Sequence, residues 1–144
     1  MSTQVTLRGR LTRDPEMRFT ANGKPLAQFS VVTSRRFKNE RSGEWEDRDT
    51  TFWDCVAFGQ LAENVTESLV KGAAVIVSGN AAQEEWEDKK TGQKRRSMKV
   101  IADDVAASLR SASAKVSRAE RNADRQQQGQ SGGDPWSSDD KPPF

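Results

Sequence analysis

The chain has 144 residues, 23 of them basic and 21 acidic, so its formal net charge is only +2. No apolar run approaches the roughly 18 residues that a membrane span requires, and the N-terminal residues lack the apolar segment of a secretory signal. Without histidine and with a single cysteine, the chain lacks the usual proton shuttles, most zinc-ligand sets and any intramolecular disulfide. We therefore expect a soluble cytoplasmic protein with one domain and a tail.

The first 49 residues predict two strands and a charged loop. Apolar and polar residues alternate over residues 5–11, which indicates a half-buried strand. An Asp-Pro turn signal follows at residues 14–15, and an Asn-Gly hairpin signal at residues 22–23. A second strand is predicted over about residues 26–37, because apolar side chains recur there with period two. A charged loop is expected from there to Asp49.

The third predicted strand, residues 50–58, divides its side chains between two faces. One face carries Phe52, Asp54, Val56 and Phe58, and the other carries Trp53, Cys55 and Ala57. A face that includes the charged Asp54 is not expected to be wholly buried. The pattern therefore predicts exposure of Phe52 and Phe58, and packing of Trp53 in the core or at a subunit interface.

A short amphipathic helix is predicted next, because Leu61, Val65 and Leu69 recur every four residues before a Lys-Gly stop at residues 71–72. A fourth strand over residues 73–86 and a fifth over about 94–102 are separated by a polar hairpin loop. Three strands, one helix and two strands are the chain order of an OB-fold. This five-stranded, partly open, all-β barrel commonly binds oligonucleotides on its face and in its loops.

Composition changes after about Leu109, where Ala, Ser, Arg, Gln and Gly replace the recurring apolar residues. We predict an OB-fold domain over residues 1–110, a disordered linker over 111–138 and an acidic, protein-binding tip over 139–144. A weak helical extension over residues 112–124 is compatible with the sequence.

Aromatic residues with basic neighbours point to binding of single-stranded nucleic acid. Bases stack on flat side chains, each contributing about 1–3 kcal/mol, while cations follow the backbone. The candidate stacking residues are Phe37, Phe52, Phe58 and Trp86, with core packing as the alternative for each. Phe37 is expected to be exposed, because charged residues flank it on both sides. The candidate phosphate contacts are Arg18, Arg35, Arg36, Lys38, Lys71, Lys89, Lys90, Lys94, Arg95 and Arg96. For the basic cluster after Trp86, a solvated charged loop is the alternative.

We expect no enzymatic activity, no cofactor and no metal. Cys55 lacks a histidine to activate it and alternates with apolar neighbours, which indicates a buried thiol. Asp47, Asp49 and Asp54 are candidate Mg²⁺ ligands for a nuclease, but carboxylates in a charged segment are usually solvated. The phosphate-binding Gly-Lys-Ser/Thr loop of nucleotide hydrolases does not occur.

Several of these features, in this order, resemble the bacterial single-stranded DNA-binding proteins. They are the run at residues 14–18, the Asn-Gly turn, the segment at 56–63, the Lys-Gly pair at 71–72, the strand that ends in Trp86, and the acidic Pro-Pro-Phe terminus. The resemblance implies an OB-fold homotetramer that coats single strands in replication, recombination and repair, in the cytoplasm at the nucleoid. It also implies base stacking on the four aromatic candidates, and recruitment of partner proteins through Asp139, Asp140, Pro142, Pro143 and Phe144.

The chain departs from that family pattern mainly in charge. Glu84 and Glu85 precede Trp86 where similar proteins often carry basic residues, and Asp54 also stands where a basic residue is common. Weaker or more restricted DNA binding is therefore one expectation. Three alternatives stay open: an OB-fold RNA-binding domain, a primosome or protein-interaction module with weak DNA affinity, and a metal-dependent nuclease.

Overall fold

The computed structural model describes residues 1–119, and its elements follow the predicted chain order with one addition. The strands are β1 (Thr3–Leu11), β2 (Glu16–Phe19), β3 (Pro25–Lys38) and β4 (Trp45–Phe58), then helix α1 (Gln60–Ser68), then β5 (Ala74–Glu87) and β6 (Lys94–Ala107). The addition is β2, a four-residue strand in a segment where the sequence predicted only turns. It forms because its backbone pairs antiparallel with the beginning of β3.

Five strands close a ring of backbone hydrogen bonds in the order β1-β5-β6-β4-β3, and a short β1–β3 pairing at Arg10 and Leu11 completes it. The pairings are antiparallel except for β4–β6, which is parallel over residues 54–56. Helix α1 connects β4 to β5 along the chain, and β2 is attached to one edge through β3. The predicted five-stranded OB-type barrel is thus confirmed, with β2 as an extra strand at its rim.

The barrel interior is filled by the inward-facing side chains of the strands. Its largest fully buried members are Phe29, Leu11, Val31, Val75, Val77 and Val100. Helix α1 adds Ala62 and Val65, which are both buried. Cys55 belongs to the same cluster and Trp53 packs against it, as the alternation along β4 predicted.

Two glycines allow strands to approach closely where the barrel bends. A Cβ atom on Gly9 would collide with the carbonyl oxygen of Val32, and one on Gly79 with the carbonyl oxygen of Ile101. Next to Gly79, the β5–β6 register skips a residue, so β6 bulges there. Glycine is needed at both positions because each backbone passes within van der Waals contact of its neighbour.

Two hairpins extend the sheet, one formed by β3 and β4 and the other by β5 and β6. The first corrects the prediction of a charged loop up to Asp49, since only residues 39–44 form its turn. Both turns have the same design. The amides of Asn39 and Asp88 donate to carbonyls five residues later, and their Oδ1 atoms accept from amides two residues later. Gly43 and Gly92 supply the positive φ angles, 71° and 67°. These hydrogen bonds close each turn, so that both strand pairs extend as two-stranded ribbons up to the turn.

Strand β6 continues to Ala107 instead of ending near residue 102, and residues 108–119 contain neither helix nor strand. The helical extension considered over 112–124 is therefore wrong for its described part. Residues Met1–Ala114 form one compact unit. Most of the predicted linker and the whole predicted tip lie outside the described residues. Within residues 1–119, no helix has the length and apolar character needed to cross a membrane.

Candidate nucleic-acid interface

A bulge in β4 decides which side chains share a face. The register passes from Thr33 opposite Thr51 to Arg35 opposite Arg48, so β4 has one residue more than β3 between these pairs. Asp49 lies in this bulge with a φ of 55°, and its carboxylate accepts a 2.6 Å hydrogen bond from Nε of Arg35. Paired residues point to the same side of a sheet, so the alternation of β4 reverses across the bulge.

Phe52 and Phe58 lie on the outer face of the barrel, as predicted from alternation. Their side chains are 67% and 39% exposed, while Cys55 and Ala57 between them are buried. Val56 shares this outer face but is itself buried, so the face is not uniformly open. Phe52 is therefore largely open to solvent, and Phe58 partly so.

The strand register carries the same face across to Trp86. Asp54 is in register with Lys99 of β6, which is paired in turn with Ala82 of β5. Trp86 lies four residues further along β5, on the side of Ala82, and is 47% exposed. Three of the four predicted stacking residues, Phe52, Phe58 and Trp86, are therefore on one continuous outer face, which we call the aromatic face.

Phe37 lies on the other side of the β3–β4 hairpin. Its direct partner across the strands is Glu46, and it shares its side with Thr33, whose hydroxyl accepts a 2.9 Å hydrogen bond from Nε1 of Trp53. The guanidinium carbon of Arg48 lies 3.7 Å from the centroid of the Phe37 ring. Phe37 is half-buried as a result, so the expected exposure is only partly found.

Sequence reasoning missed Trp45, the first residue of β4. Its side chain is 59% exposed, it pairs with Lys38, and the guanidinium carbon of Arg36 lies 5.9 Å from its ring centroid. Because the bulge reverses the alternation, Trp45 is on the side of Phe52. The sequence could have indicated Trp45 as a candidate, because it is an aromatic residue directly after a turn and close to the basic residues Arg36 and Lys38. Alternation counted without the bulge, however, assigns Trp45 to the wrong side of the sheet.

Four of the ten predicted phosphate contacts are engaged in ion pairs within the chain. The pairs are Arg18–Glu16 at 3.4 Å, Arg35–Asp49 at 2.6 Å, Arg95–Asp88 at 3.1 Å and Arg96–Glu85 at 3.2 Å. Each of these arginines is more than half exposed. Exposed pairs contribute about 0–1 kcal/mol, so a phosphate can replace the carboxylate at little cost.

The remaining candidates differ in position. Within residues 1–119, no ion pair is formed by Lys38, Lys71, Lys89, Lys90 or Lys94. All but Lys71 lie on the two hairpins. Lys71 lies in the connection between α1 and β5, where its amide donates a 2.7 Å hydrogen bond to Asp14, so the structure does not bring it to the aromatic face.

Cations also flank the aromatic face near Phe58 and Trp86. Arg18 of β2 is in register with Leu26 of β3, which is in register with Phe58. Lys24, which sequence reasoning missed, has its Nζ 5.5 Å from the centroid of the Phe58 ring. Trp86 is paired directly with Arg95. Phe58 and Trp86 are therefore each close to a positive charge.

The two glutamates before Trp86 are balanced by cations. The carboxylate of Glu84 lies 2.7 Å from Nζ of Lys99, and that of Glu85 lies 3.2 Å from Nε of Arg96. The two residues point to opposite sides of the β5–β6 hairpin, and only Glu84 lies on the side of Trp86. The acidic character that the sequence shows here is therefore largely neutralised at short range.

The residues considered for catalysis are three aspartates of β4 and Cys55. Within the described part of the chain, no three carboxylate, cysteine or histidine side chains are grouped so that they could hold a metal ion. Cys55 is buried, and burial together with the negative charge of Asp54 raises the pKa of its thiol to about 12. The predicted buried thiol is confirmed.

The chain is similar in sequence and in structure to known proteins. The model of the single-strand binding protein family matches residues 2–108. A protein of Mycobacterium tuberculosis named single-stranded DNA-binding protein is 40% identical over 161 aligned positions, which cover 99% of this chain and 98% of that protein. The corresponding protein of Mycobacterium leprae is 38% identical over 165 positions, with the same coverage. A crystal structure of a small single-stranded DNA-binding protein from Streptomyces coelicolor matches with a TM-score of 0.65 and 27% identity, covering 76% of this chain and 96% of the other.

Proposed function

The chain belongs to the single-strand binding protein family, and on that premise we propose that it binds single-stranded DNA without sequence preference. The observation that carries the proposal is the aromatic face, on which Phe52, Phe58 and Trp86 are exposed, the last two of them beside cations. Every base has a flat surface that can stack on such rings, so the arrangement tolerates any sequence. In duplex DNA the bases are already stacked and paired with each other, so they are not available to stack on the rings.

Phosphate binding follows from the exposed cations of the two hairpins. The lysines at positions 38, 89, 90 and 94, which form no ion pair within residues 1–119, are available directly. The four ion-paired arginines, of which Arg18 lies on β2, exchange a carboxylate for a phosphate. Neutralising phosphates releases counterions, so binding is expected to weaken as salt rises. Because many carboxylates lie nearby, we propose that electrostatic attraction contributes a smaller share of the binding free energy than it does in a strongly basic protein.

Phe37 remains a proposed stacking residue, but DNA must approach it from a different side than it approaches Phe52. It lies on the other side of the β3–β4 hairpin from Phe52, and Arg48 covers one face of its ring. A strand that stacks on both residues must therefore pass around the edge of the hairpin. Lys71 is proposed only as a peripheral phosphate contact, since it lies away from both hairpins.

We propose further that the chain assembles as a homotetramer and acts in replication, recombination and repair at the nucleoid. The backbone of β1 supports self-association. Residues 3–10 pair with β5 on one edge, but β3 pairs with β1 only at Arg10 and Leu11, which leaves most of the other edge open. Open strand edges pair readily with another chain. Partner recruitment is proposed for the tip residues Asp139, Asp140, Pro142, Pro143 and Phe144.

The DNA-binding proposal is tested by titrating intrinsic tryptophan fluorescence with poly-dT oligomers of increasing length, at low and high salt. We expect quenching that saturates at a defined length, weakens with salt and does not occur with duplex DNA. Phe52→Ala is expected to weaken binding, while Phe19→Ala serves as the control, because Phe19 is 69% exposed but faces the other side of the sheet.

Other outcomes of that titration would support other functions. Equal or stronger binding of matched RNA oligomers would favour the RNA-binding alternative. Weak binding that is insensitive to Phe52→Ala would favour the protein-interaction module. For the tip, a pull-down in which deletion of residues 139–144 leaves the captured proteins unchanged would contradict its proposed role. Sedimentation equilibrium should give four times the chain mass of 16.0 kDa.

A further inference from the structure

We propose that Trp45 is an additional base-stacking residue, and that the end of the β3–β4 hairpin extends the path of single-stranded DNA beyond Phe52. The inference rests on the proposed DNA-binding function and deepens it. Trp45 is among the largest exposed apolar side chains of the described residues, at 59% exposure. The barrel core does not use it: of the three tryptophans within residues 1–119, Trp53, on the other side of β4, is the one that packs against that core.

The β4 bulge places Trp45 on the side of the aromatic face. Across the bulge, the pairs Arg36–Asp47 and Lys38–Trp45 continue the side of the sheet that carries Phe52. The contact between Arg36 and the Trp45 ring confirms that these two diagonal neighbours share a side. Without the additional residue in β4, Trp45 would lie with Phe37 on the other side.

Charge at the site favours a polyanion. Lys38 lies directly opposite Trp45 and makes no ion pair within the described residues, and Arg36 reaches the ring with its guanidinium. The acidic residue on the same side is Asp47, the partner of Arg36, so the local sum is one positive charge. The neighbouring Glu46 is on the opposite side, where its carboxylate accepts a hydrogen bond from Asn39.

The other hairpin carries a similar arrangement. Trp86 is exposed close to the turn that begins at Asp88, and it is paired with Arg95. Each hairpin thus presents an exposed indole opposite a cation near its end, on one continuous side of the sheet. Along β4, Trp45 is roughly 20 Å from Phe52 at about 3.3 Å per residue, which allows nucleotides between the two rings. An indole offers a larger stacking surface than the phenyl rings.

The experiment measures anisotropy of fluorescein-labelled dT oligomers of graded length with the full chain and four variants, Trp45→Ala, Trp45→Phe, Phe52→Ala and Phe19→Ala. We expect Trp45→Ala to weaken binding of long oligomers roughly 5- to 140-fold, the range that corresponds to loss of one stacked base. The shortest oligomers that bind should be affected less than twofold, because they do not reach the hairpin end. Trp45→Phe should recover most of the affinity, and Phe19→Ala, the exposed aromatic on the other side, should behave as wild type.

A contact role is separated from a structural role by two further measurements. Urea unfolding of Trp45→Ala should give a midpoint within error of the wild type, and crosslinking to bromodeoxyuridine-substituted oligomers should label the peptide that contains Trp45. If Phe52→Ala weakens binding but Trp45→Ala has no effect at any length, this inference is wrong and the proposed function stands. If the wild type binds no poly-dT, both are wrong.

Discussion

The guanidinium of Arg48 stacks on the Phe37 ring, with 3.7 Å between the guanidinium carbon and the ring centroid. The two residues are diagonal neighbours on the β3–β4 hairpin, since Phe37 pairs with Glu46 and Arg48 with Arg35. The cation covers one face of the ring and holds it in place. A base can then reach Phe37 only from its other face.

This pair predicts a measurable coupling between the two side chains. In a double-mutant cycle with Phe37→Leu and Arg48→Met, we expect a coupling free energy of about 0.5–1 kcal/mol, the usual size of an exposed cation–π contact. The free energies of unfolding are measured with urea. The cycle of Phe37→Leu with Lys38→Met is the control, because Lys38 points to the other side. A coupling for Arg48 no larger than that of the control would contradict the interpretation.

Neighbouring residues of β4 should separate binding from stability. Phe52 is 67% exposed, so Phe52→Ala is expected to change the free energy of unfolding by less than about 0.5 kcal/mol. Its affinity for poly-dT should fall, because a stacking surface is lost. Trp53→Phe should instead cost about 1 kcal/mol of stability through the lost hydrogen bond to Thr33, and leave affinity nearly unchanged. Urea unfolding and anisotropy are measured on both variants. A loss of stability in Phe52→Ala together with a loss of affinity in Trp53→Phe would contradict this assignment.

The barrel should not tolerate a side chain at Gly79. In Gly79→Ala the added methyl group meets the backbone of Ile101 and Ala102, which cannot move without breaking the β5–β6 pairing. We expect a loss of about 3 kcal/mol or more in the free energy of unfolding, measured with urea. Ser78→Ala, at the exposed neighbouring position, should change it by less than about 0.5 kcal/mol. Similar stability of the two variants would count against this account of the bulge.

Neutralising Glu84 should strengthen DNA binding. Its carboxylate lies 2.7 Å from Nζ of Lys99, so Glu84→Gln releases that cation on the side of Trp86. We expect an affinity gain of up to about fivefold at low salt, in line with the small energy of exposed ion pairs. The slope of log K against log salt should steepen by about 0.7 if Lys99 gains one phosphate. Glu63→Gln on α1 is the control, and an equal gain there would point to net charge alone.

Cys55 should be unreactive in the folded protein. Burial and the charge of Asp54 raise the pKa of its thiol to about 12, so almost no thiolate forms at pH 8. A thiol reagent should therefore label it only in urea. Since the folded pKa lies above that of the unfolded chain, the stabilising contribution is complete below about pH 8.5 and is lost as pH rises towards 12. Rapid labelling of the native protein at pH 8 would contradict the burial.

Much of the fold could be predicted from the sequence, because alternation along a strand reports burial directly. The split between Phe52 and Trp53 needed only the period of two and the charge of Asp54, and both residues lie where it placed them. The helix and its stop were equally readable from apolar spacing and a glycine. The short strand β2 was not, because its four residues are strand only through pairing with β3.

The arrangement of the candidate site could not be predicted from local sequence patterns alone. Which aromatic rings share a side depends on the bulge at Asp49, and a bulge arises from how two distant segments pair rather than from either segment alone. Tertiary structure therefore decided that Phe37 is separated from Phe52 and that Trp45 joins it. It also decided which glutamates and cations neutralise one another. The sequence by itself determined the barrel and its exposed phenylalanines, since burial pattern is local, whereas register and ion pairing are set only when the strands meet.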